Sequence, residues 1–194
     1  MSLPSAFIPP AKVASTLKRQ VAAHPLSVIE RRDKVGQHVL WSLRESKLGM
    51  VLVAVCEDRI CWMGFADRGK AHLLSRFYED WGMAQCQEGD HPLMAKAVAQ
   101  TPSEVPLLIS GTPFQIAVWA ALVKIPRGQL IRYGDLAEVI GRPNAARAVG
   151  NAVGANPISW LIPCHRVGHS SGSLKGFGWG EACKRRLLTL EGAL

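Results

Sequence analysis

The pattern of apolar residues changes at a proline-containing stretch in the middle of the chain, and this change limits the folds that the chain can adopt. Before it, three short runs rich in β-branched and aromatic residues, HVLWSL, MVLVAV and ICWMGF, are separated by polar turns, which predicts antiparallel strands. After it, apolar residues recur at helical spacing. The stretch itself, AQTPSEVPLLISGTP, contains three prolines and predicts a linker. We therefore expect an α/β (α+β) protein whose first part is an antiparallel sheet with helices and whose second part is mostly helical.

Four segments follow from this pattern. They are an N-terminal extension (1–36), a strand-rich domain (37–100), a linker (101–111) and a helical domain (112–194). The extension is polar and contains several prolines, and we expect it to be mobile and partly helical around Ala14–Ala23. A chain of 194 residues can bury a core as one large domain or as two small ones.

Composition excludes several classes of protein. No run approaches the roughly 18 apolar residues of a membrane span, and the N-terminus has no basic-then-apolar signal peptide. Five cysteines at irregular spacing do not indicate a disulfide framework. We expect a soluble protein of the cytoplasm, or of the nucleus in a eukaryote.

The charge balance favours a polyanionic partner. The net charge is +8, and residues 101–194 carry ten basic and five acidic side chains, against thirteen and ten in residues 1–100. An excess of this kind is typical of nucleic-acid-binding proteins, although a merely basic soluble protein would also have it.

The helical domain opens with a clear start signal. Thr112 can cap a helix, Pro113 suits its first turn, and Gln115 can reach back to the cap. The helix that follows, FQIAVWAALVKI, is apolar nearly all round and is predicted to be buried.

Residues 133–157 then predict a helix-turn-helix. Asp135 can cap the first helix and Asn144 the second, and the break falls at GRPN. The second helix has an apolar stripe, which consists of Ala145, Ala148, Val149, Ala152 and Val153.

The opposite face of the second helix is small and almost uncharged. It carries Gly150, Asn151, Gly154 and one long side chain, Arg147. A helix that reads base edges in the major groove would present several long polar side chains. Small residues with one projecting arginine suit contact with a narrow groove by shape. A purely structural helix pair is the alternative.

Cys164, within LIPCHRVGHSSG, has three possible roles. It could simply pack, as most buried cysteines do. A zinc site would need further ligands, and no pair with metal-ligand spacing is present. A chemical role needs a thiolate, a base and a group that orients the base. His165 and Glu191 are the candidates for base and orienting group, and Arg166 can support them electrostatically.

The motif PCHRV and its surroundings resemble the O6-alkylguanine-DNA alkyltransferases, also called methylated-DNA–protein-cysteine methyltransferases. The resemblance runs without a gap from about Gly111 to Gly192, through GTPFQIAVWAALVKIPRGQLIRYGDLAEVIGRPNAARAVGNAVGANPISWLIPCHRV and GSLKGFGWGEACKRRLLTLEG. It implies an N-terminal lobe of the ribonuclease-H-like type, to which the first half is only loosely similar, and a C-terminal lobe with a DNA-binding helix-turn-helix.

The resemblance implies roles for particular residues. Cys164 matches the alkyl acceptor, and His165 matches the base that removes the thiol proton through a bridging water. Glu191 matches the carboxylate that orients the histidine, and Asn156 matches a residue that braces the turn before the acceptor.

Further residues match the DNA-contacting surface and the base pocket. Arg147 matches the residue that fills the gap left by a flipped nucleotide, and Tyr133 matches the residue that crowds the adjacent phosphate. The same DNA-binding surface includes Ala145, Ala146, Gly150 and Asn151. The pocket residues implied by the resemblance are Val167, Phe177, Gly178 and Trp179.

The chain departs from the family pattern in this pocket. The family usually has tyrosine where this chain has Phe177, so a hydroxyl donor toward the departing guanine is missing. Trp179 stands at a position that is glycine in some members, and its large ring should favour methyl over bulkier alkyl groups.

These resemblances imply direct reversal of DNA damage. The alkyl group of O6-alkylguanine would pass once and irreversibly to Cys164 in a monomeric protein that binds the minor groove of duplex DNA, without a cofactor, a metal or a membrane. The sequence leaves open whether O4-methylthymine is also a substrate. Two alternatives are a non-catalytic alkylguanine-recognition protein of the same fold and a Cys-His-Glu hydrolase that does not act on DNA.

Overall fold

A computed structural model describes residues 6–19, 26–28, 36–99, 105–169 and 171–194. The chain forms two compact units. The helical unit comprises Met1–Ala23, Thr112–Asn156 and Ile162–Leu194, and the sheet unit comprises His24–Gly111 and Pro157–Leu161. None of the helices in the described ranges combines the length and apolar character needed to cross a bilayer.

The α-helices of the described residues are α1 (Pro10–Arg19), α2 (Lys70–Trp81), α3 (Pro92–Ala97), α4 (Pro113–Leu122), α5 (Tyr133–Val139), α6 (Ala146–Gly154) and α7 (Glu181–Leu190). The strands are β1 (Leu26–Val28), β2 (Val39–Ser46), β3 (Gly49–Cys56), β4 (Arg59–Phe65), β5 (Cys86–Glu88), β6 (Leu107–Ile109), β7 (Ile131–Arg132) and β8 (Val167–Gly168). The α+β class predicted from the sequence is confirmed.

The sheet unit is built on the three predicted strands. Strands β2, β3 and β4 form an antiparallel meander, to which β5 and β6 add in parallel, and β1 pairs with β6. All the residues of β3 from Val51 to Cys56 are buried, as expected of a central strand covered on both faces. The buried face of α2 packs aromatic rings against the sheet, with the ring centroids of Phe77 and Trp62 5.4 Å apart.

The predicted linker is wrong for Leu107–Ile109. These residues form β6, which is fully buried and pairs in parallel with β1. The flanking prolines resemble a linker, but three consecutive apolar residues are enough to make a short internal strand. Residues 100–104 lie outside the described part of the chain.

The N-terminal residues also differ from the expected extension. Phe7 bridges to Leu130, and the Ile8 N–H donates to the Leu130 carbonyl at 2.8 Å. Helix α1 buries Val13 and Leu17. These apolar side chains are spaced four residues apart and give the helix a face that packs within the helical unit. Residues 1–5, 20–25 and 29–35 of the predicted extension lie outside the described residues.

Helix α4 is buried only in its second half, at Val118, Trp119, Ala121 and Leu122, whereas the sequence predicted burial of the whole helix. The predicted capping box is present: the Gln115 N–H donates to Thr112 Oγ1 at 3.2 Å, and the Thr112 N–H donates to Gln115 Oε1 at 2.9 Å. Further along α4, the indole N–H of Trp119 donates to the Ala152 carbonyl of α6 at 2.8 Å. This bond fixes the second helix of the helix-turn-helix against the core.

Loss of the α4 cap should weaken the helical unit measurably. Thr112→Ala removes the side-chain acceptor of the Gln115 N–H, and we expect the free energy of unfolding to fall by about 1 kcal/mol. Chemical denaturation measures this change. Thr16→Ala within α1 is the matched control and should stay within about 0.5 kcal/mol of the parent. An equal loss in both variants would contradict a capping role.

Candidate active site

Cys164 begins a 3₁₀ turn, Cys164–Arg166, that follows Pro163 directly. The Val167 N–H closes the turn by donating to the Cys164 carbonyl. The segment before the turn is braced by Asn156, two residues after the end of α6, whose Nδ2 donates to the Ile162 carbonyl at 2.8 Å. Cys164 itself is buried, with 4% of its surface exposed. Asn156 therefore lies where the sequence placed it, holding the segment that carries the thiol.

The chain after the turn is held by strand pairing. Val167 and Gly168 form β8, which pairs in parallel with β7. Gly168 lies against the N-terminal segment, because a Cβ built on it would be 3.1 Å from Phe7 Cζ. The Arg132 guanidinium of β7 lies over the Phe7 ring, 4.9 Å from its centroid. The Cys164 turn is thus anchored on both sides.

The imidazole of His165 is fully buried and paired with a carboxylate. Its Nε2 lies 2.9 Å from Glu191 Oε1, just beyond the end of α7. A carboxylate accepts only, so in the neutral ring Nε2 carries the proton and Nδ1 keeps a lone pair. Nδ1 is buried and makes no hydrogen bond to any described residue. The arrangement leaves a basic nitrogen on the residue next to the thiol.

Arg166 completes this buried cluster. Its Nε and Nη2 donate to the two oxygens of Glu191 at 2.9 and 2.7 Å, and its Nη1 donates to the Ile125 carbonyl at 2.6 Å. The side chain of Glu191 is 3% exposed. Burial alone would raise the pKa of Glu191, but the hydrogen bonds from His165 and Arg166 and the charge of Arg166 outweigh it and hold that pKa well below its usual range. Glu191 is therefore a fixed anion.

Burial has the opposite consequence for His165. Desolvation lowers the pKa of His165, and the hydrogen bond and charge of Glu191 offset only part of this effect. The positive charges of Arg166 and Lys184 lower it further. His165 is consequently neutral before reaction and can accept a proton.

The helix-turn-helix brings Tyr133 to the same region. Tyr133 begins α5 and lies against α6, since a Cβ on Gly150 would be 3.9 Å from its ring. Burial and the charge of Cys164 raise the pKa of Tyr133. On α6, Arg147 is exposed and makes no hydrogen bond or ion pair with the described residues.

The other residues expected at the DNA-binding surface lie on α6 or immediately before it. Ala145, Ala146 and Gly150 are half-buried, and Asn151 is exposed. The core stripe of this helix consists of Val149, Ala152 and Val153, whereas Ala148, which we expected in it, is exposed.

The predicted caps of both helices are wrong. Helix α5 begins at Tyr133, so Asp135 lies in its first turn and accepts from Arg132 Nη1 at 3.3 Å. Helix α6 has Ala145 as its N-cap, without a side-chain hydrogen bond, and Asn144 precedes it. A turn of residues 140–145 closed by backbone hydrogen bonds delays the second helix.

The expected pocket residues fall on both sides of the turn. Val167 is buried in β8, directly after the turn. In the loop before α7, Trp179 is buried, Phe177 is half-buried and Gly178 is exposed. Lys184 Nζ, from α7, lies 5.9 Å from the centre of the Phe177 ring.

Sequence reasoning missed Lys184. This lysine is 1% exposed, and its Nζ donates to the Val167 carbonyl at 2.7 Å. The signal was present, because Lys184 lies in the buried stripe of α7 with Cys183, Leu187 and Leu188. A lysine at a core position of an amphipathic helix calls for a reason.

Among the described residues, no group of three or more His, Cys, Asp or Glu side chains is arranged to hold a metal ion. A pocket of about 630 Å³ lies among α1, α4 and α5, and its lining does not include Cys164.

The chain matches one family model and several curated proteins. Residues 113–193 match the family model described as 6-O-methylguanine DNA methyltransferase, DNA binding domain. The bifunctional transcriptional activator/DNA repair enzyme Ada of Escherichia coli is 38% identical over 161 residues, which cover 79% of this chain and 45% of that protein. A methylated-DNA–protein-cysteine methyltransferase of Salmonella typhimurium is 57% identical over 84 residues, which cover 43% of this chain and 49% of that protein.

A solved structure matches over a greater share of its length. The crystal structure of Mycobacterium tuberculosis OGT in complex with DNA has a TM-score of 0.64 and 35% sequence identity, and the match covers 79% of this chain and 92% of that one. The chain spans about half the length of the curated relatives that it matches.

Proposed function

Because this chain belongs to the 6-O-methylguanine DNA methyltransferase family, we propose that it repairs DNA by moving an alkyl group, mainly methyl, from O6 of guanine to Cys164. One observation carries this proposal. The buried Cys164 directly precedes a neutral histidine, His165, whose Nε2 is fixed by Glu191 at 2.9 Å. The other ring nitrogen, Nδ1, makes no hydrogen bond to the described residues and can accept the thiol proton. This is the arrangement that activates a thiol for nucleophilic attack.

The reaction balances without a cofactor. The thiol proton passes to His165 Nδ1, through a water where the two atoms are not in contact, and the sulfur attacks the alkyl carbon in line with the bond to O6. A carbon–sulfur bond forms while the carbon–oxygen bond breaks, and its electron pair remains on guanine. The guanine then takes up a proton, so that in total one proton moves from the sulfur of Cys164 to the guanine. Glu191 stabilises the imidazolium that exists between the two transfers.

Each molecule acts once. The product is a thioether, which is a very poor leaving group, and none of the described residues around it offers a nucleophile to displace it. The protein is consequently consumed in proportion to the lesions repaired.

The substrate is an alkylated guanine in duplex DNA, approached by a monomer from the minor groove. The small exposed face of α6 allows its backbone to come close to a narrow groove, and Arg147 projects from it without a partner among the described residues. A cysteine that is only 4% exposed cannot reach a base within the stack, so the nucleotide must be rotated out. Arg147 fills the gap that the nucleotide leaves, and Tyr133 crowds the adjacent phosphate.

Mass spectrometry tests this proposal. The full chain is incubated with duplex DNA that contains O6-methylguanine, and its intact mass and peptides are measured. We expect the mass of one methyl group on the peptide that carries Cys164, with one lesion repaired for each protein molecule. Tight binding of the lesion without a mass change would support a recognition protein instead. Repair of many lesions by each molecule would overturn the single-use mechanism.

Arg147→Ala should impair repair in duplex DNA selectively. The arginine side chain fills the space that the rotated nucleotide leaves in the base stack, and this contact offsets part of the free energy of unstacking. Without it we expect transfer from duplex DNA to slow on the order of 10²-fold. Reaction with the free base O6-methylguanine needs no extrusion and should keep its rate. Quenched-flow measurement with both substrates separates the two effects.

The control for that variant is Arg19→Ala on α1, which also removes one positive charge from an exposed position. Equal slowing of duplex repair in the two variants would mean that Arg147 contributes only net charge.

A further inference from the structure

His169 lies directly after the strand that follows the acceptor turn, and its ring packs against the ring of Tyr133. The two ring centroids are 5.2 Å apart, and the ring planes are inclined by 56°. Aromatic rings at this separation attract each other beyond the effect of the area that they bury. Tyr133 is half-buried and His169 is exposed, so the pair lies at the surface of the helical unit.

The pairing of β7 with β8 brings these two residues together. The strands are parallel, and their last pair in register is Arg132 with Gly168. The next residues along the two stretches of chain are Tyr133 and His169. Side chains in register on neighbouring strands point to the same face of a sheet, so the register places the two rings side by side. Because β8 also follows the Cys164 turn directly, one small sheet connects the acceptor turn with Tyr133.

Each ring of the pair has further support. The backbone of His169 is fixed by a turn, because the Gly172 N–H donates to the His169 carbonyl at 2.9 Å. Tyr133 also lies against α6, where a Cβ built on Gly150 would be 3.9 Å from its ring. The tyrosine ring is therefore placed by the loop after the acceptor turn and by the helix that carries Arg147.

We propose that His169 is a positioning residue for Tyr133: its ring keeps the tyrosine side chain in the orientation that meets the phosphate beside the rotated nucleotide. The inference rests on the proposed function, in which Tyr133 crowds that phosphate. A half-buried side chain that loses a neighbour gains rotamer freedom, and only part of its population would then meet the phosphate. The role belongs to the ring of His169, since the contact joins the two rings.

Three substitutions separate the ring of His169 from its polar atoms. His169→Phe keeps an aromatic ring without a hydrogen-bonding group, His169→Gln keeps a hydrogen-bonding group without a ring, and His169→Leu keeps only apolar volume. If the ring positions Tyr133, phenylalanine should preserve the behaviour of the parent, and glutamine and leucine should both lose it. The reverse order would overturn the proposal. The matched control is His38→Gln, which removes an exposed histidine from the sheet unit.

The first readout is the fluorine NMR spectrum of the full chain labelled with 3-fluorotyrosine, without DNA. The chain has two tyrosines, so two signals are expected, and Tyr78→Phe assigns them. Tyr78 belongs to the sheet unit and serves as the internal reference. Because the ring current of His169 acts on Tyr133, His169→Leu and His169→Gln should shift the Tyr133 signal and leave that of Tyr78 in place. An unchanged Tyr133 signal would mean that the ring pair does not form, and the proposal would be wrong.

The second readout is the rate of methyl transfer from duplex DNA that contains O6-methylguanine, compared with transfer from the free base. For His169→Leu and His169→Gln we expect duplex transfer to slow about two- to tenfold, which is the range that one aromatic pair contributes. The free base has no phosphate, so its rate should stay at the parental value. Equal slowing with both substrates would mean that the substitution disturbs the Cys164 turn, and would overturn the proposal.

A double-mutant cycle tests whether His169 acts through Tyr133. In a chain that already carries Tyr133→Ala, His169→Leu should slow duplex transfer no further. If the two losses simply add, His169 acts independently of the tyrosine and the proposal fails.

The same variants distinguish failure of this inference from failure of the proposed function. A parent chain that transfers no methyl group from either substrate would refute the proposed function. The fluorine spectrum needs no transfer, and neither does the affinity for duplex DNA with O6-methylguanine, measured by fluorescence anisotropy in a Cys164→Ser background. Weaker binding by His169→Leu than by His169→Phe would support the inference, and equal binding by the two variants would overturn it.

Discussion

Cys164→Ser should abolish the proposed methyl transfer while leaving binding of the lesion intact. A serine hydroxyl at this position is far less acidic than the thiol, so His165 cannot produce a useful fraction of the oxyanion. The pairing of His165 with Glu191 does not involve the sulfur and should persist. We expect the rate of transfer from O6-methylguanine to fall by at least about 10⁴-fold, measured by the mass of the protein after incubation with methylated duplex DNA.

The control for this variant is Cys86→Ser, which changes a half-buried cysteine of the sheet unit. It should transfer one methyl group at the parental rate. Full repair by Cys164→Ser would mean that another group accepts the alkyl, and the mechanism above would have to be abandoned.

Glu191→Gln should damage stability and reactivity together. The substitution leaves the Arg166 guanidinium without its anion and removes the group that fixes the His165 tautomer. Removing one partner of a buried pair costs about 3–5 kcal/mol, so we expect the free energy of unfolding to fall by that amount at neutral pH. Methyl transfer should slow by about 10²-fold or more, because a general base contributes roughly that factor.

The stability effect has a defined pH dependence. The pKa of Glu191 is lower in the folded than in the unfolded chain, so its contribution is complete above the unfolded value of about 4.3 and is lost as the pH falls toward the folded value. Denaturation at a series of pH values should show the difference between parent and variant shrinking below about pH 4.

Glu181→Gln is the matched control, since this carboxylate is exposed on α7 and pairs only at the surface with Arg185. It should change stability by no more than about 1 kcal/mol. A difference for Glu191→Gln that does not depend on pH would contradict the assignment of its stabilising charge.

The parts of the fold that the sequence predicts are those with local signals. The strands at residues 39–65 and the capping box at Thr112 need only neighbouring residues to be recognised. Strand β6 was missed because its three apolar residues gain their structure from pairing with β1, more than seventy residues earlier in the chain. Likewise, the place of Phe7 depends on Leu130 and Gly168, which no local pattern reveals.

The same distinction applies to the site. Resemblance to a family identified Cys164, His165 and Glu191 as site residues. The structure places His165 and Glu191 in contact. The side chains of adjacent residues on a strand point to opposite faces, but Cys164 and His165 lie in a 3₁₀ turn, where this alternation does not apply. Lys184 was overlooked because its position matters only once α7 is packed against the turn.

The helical unit is assembled from three separated stretches of the chain, and this has a consequence for synthesis on the ribosome. Residue Phe7 must meet Leu130, and Glu191 must meet His165, before the thiol is supported and its base oriented. Such distant pairings slow folding, because long loops must close before their contacts can form. A nascent chain therefore carries Cys164 without its oriented base until helix α7 has left the exit tunnel.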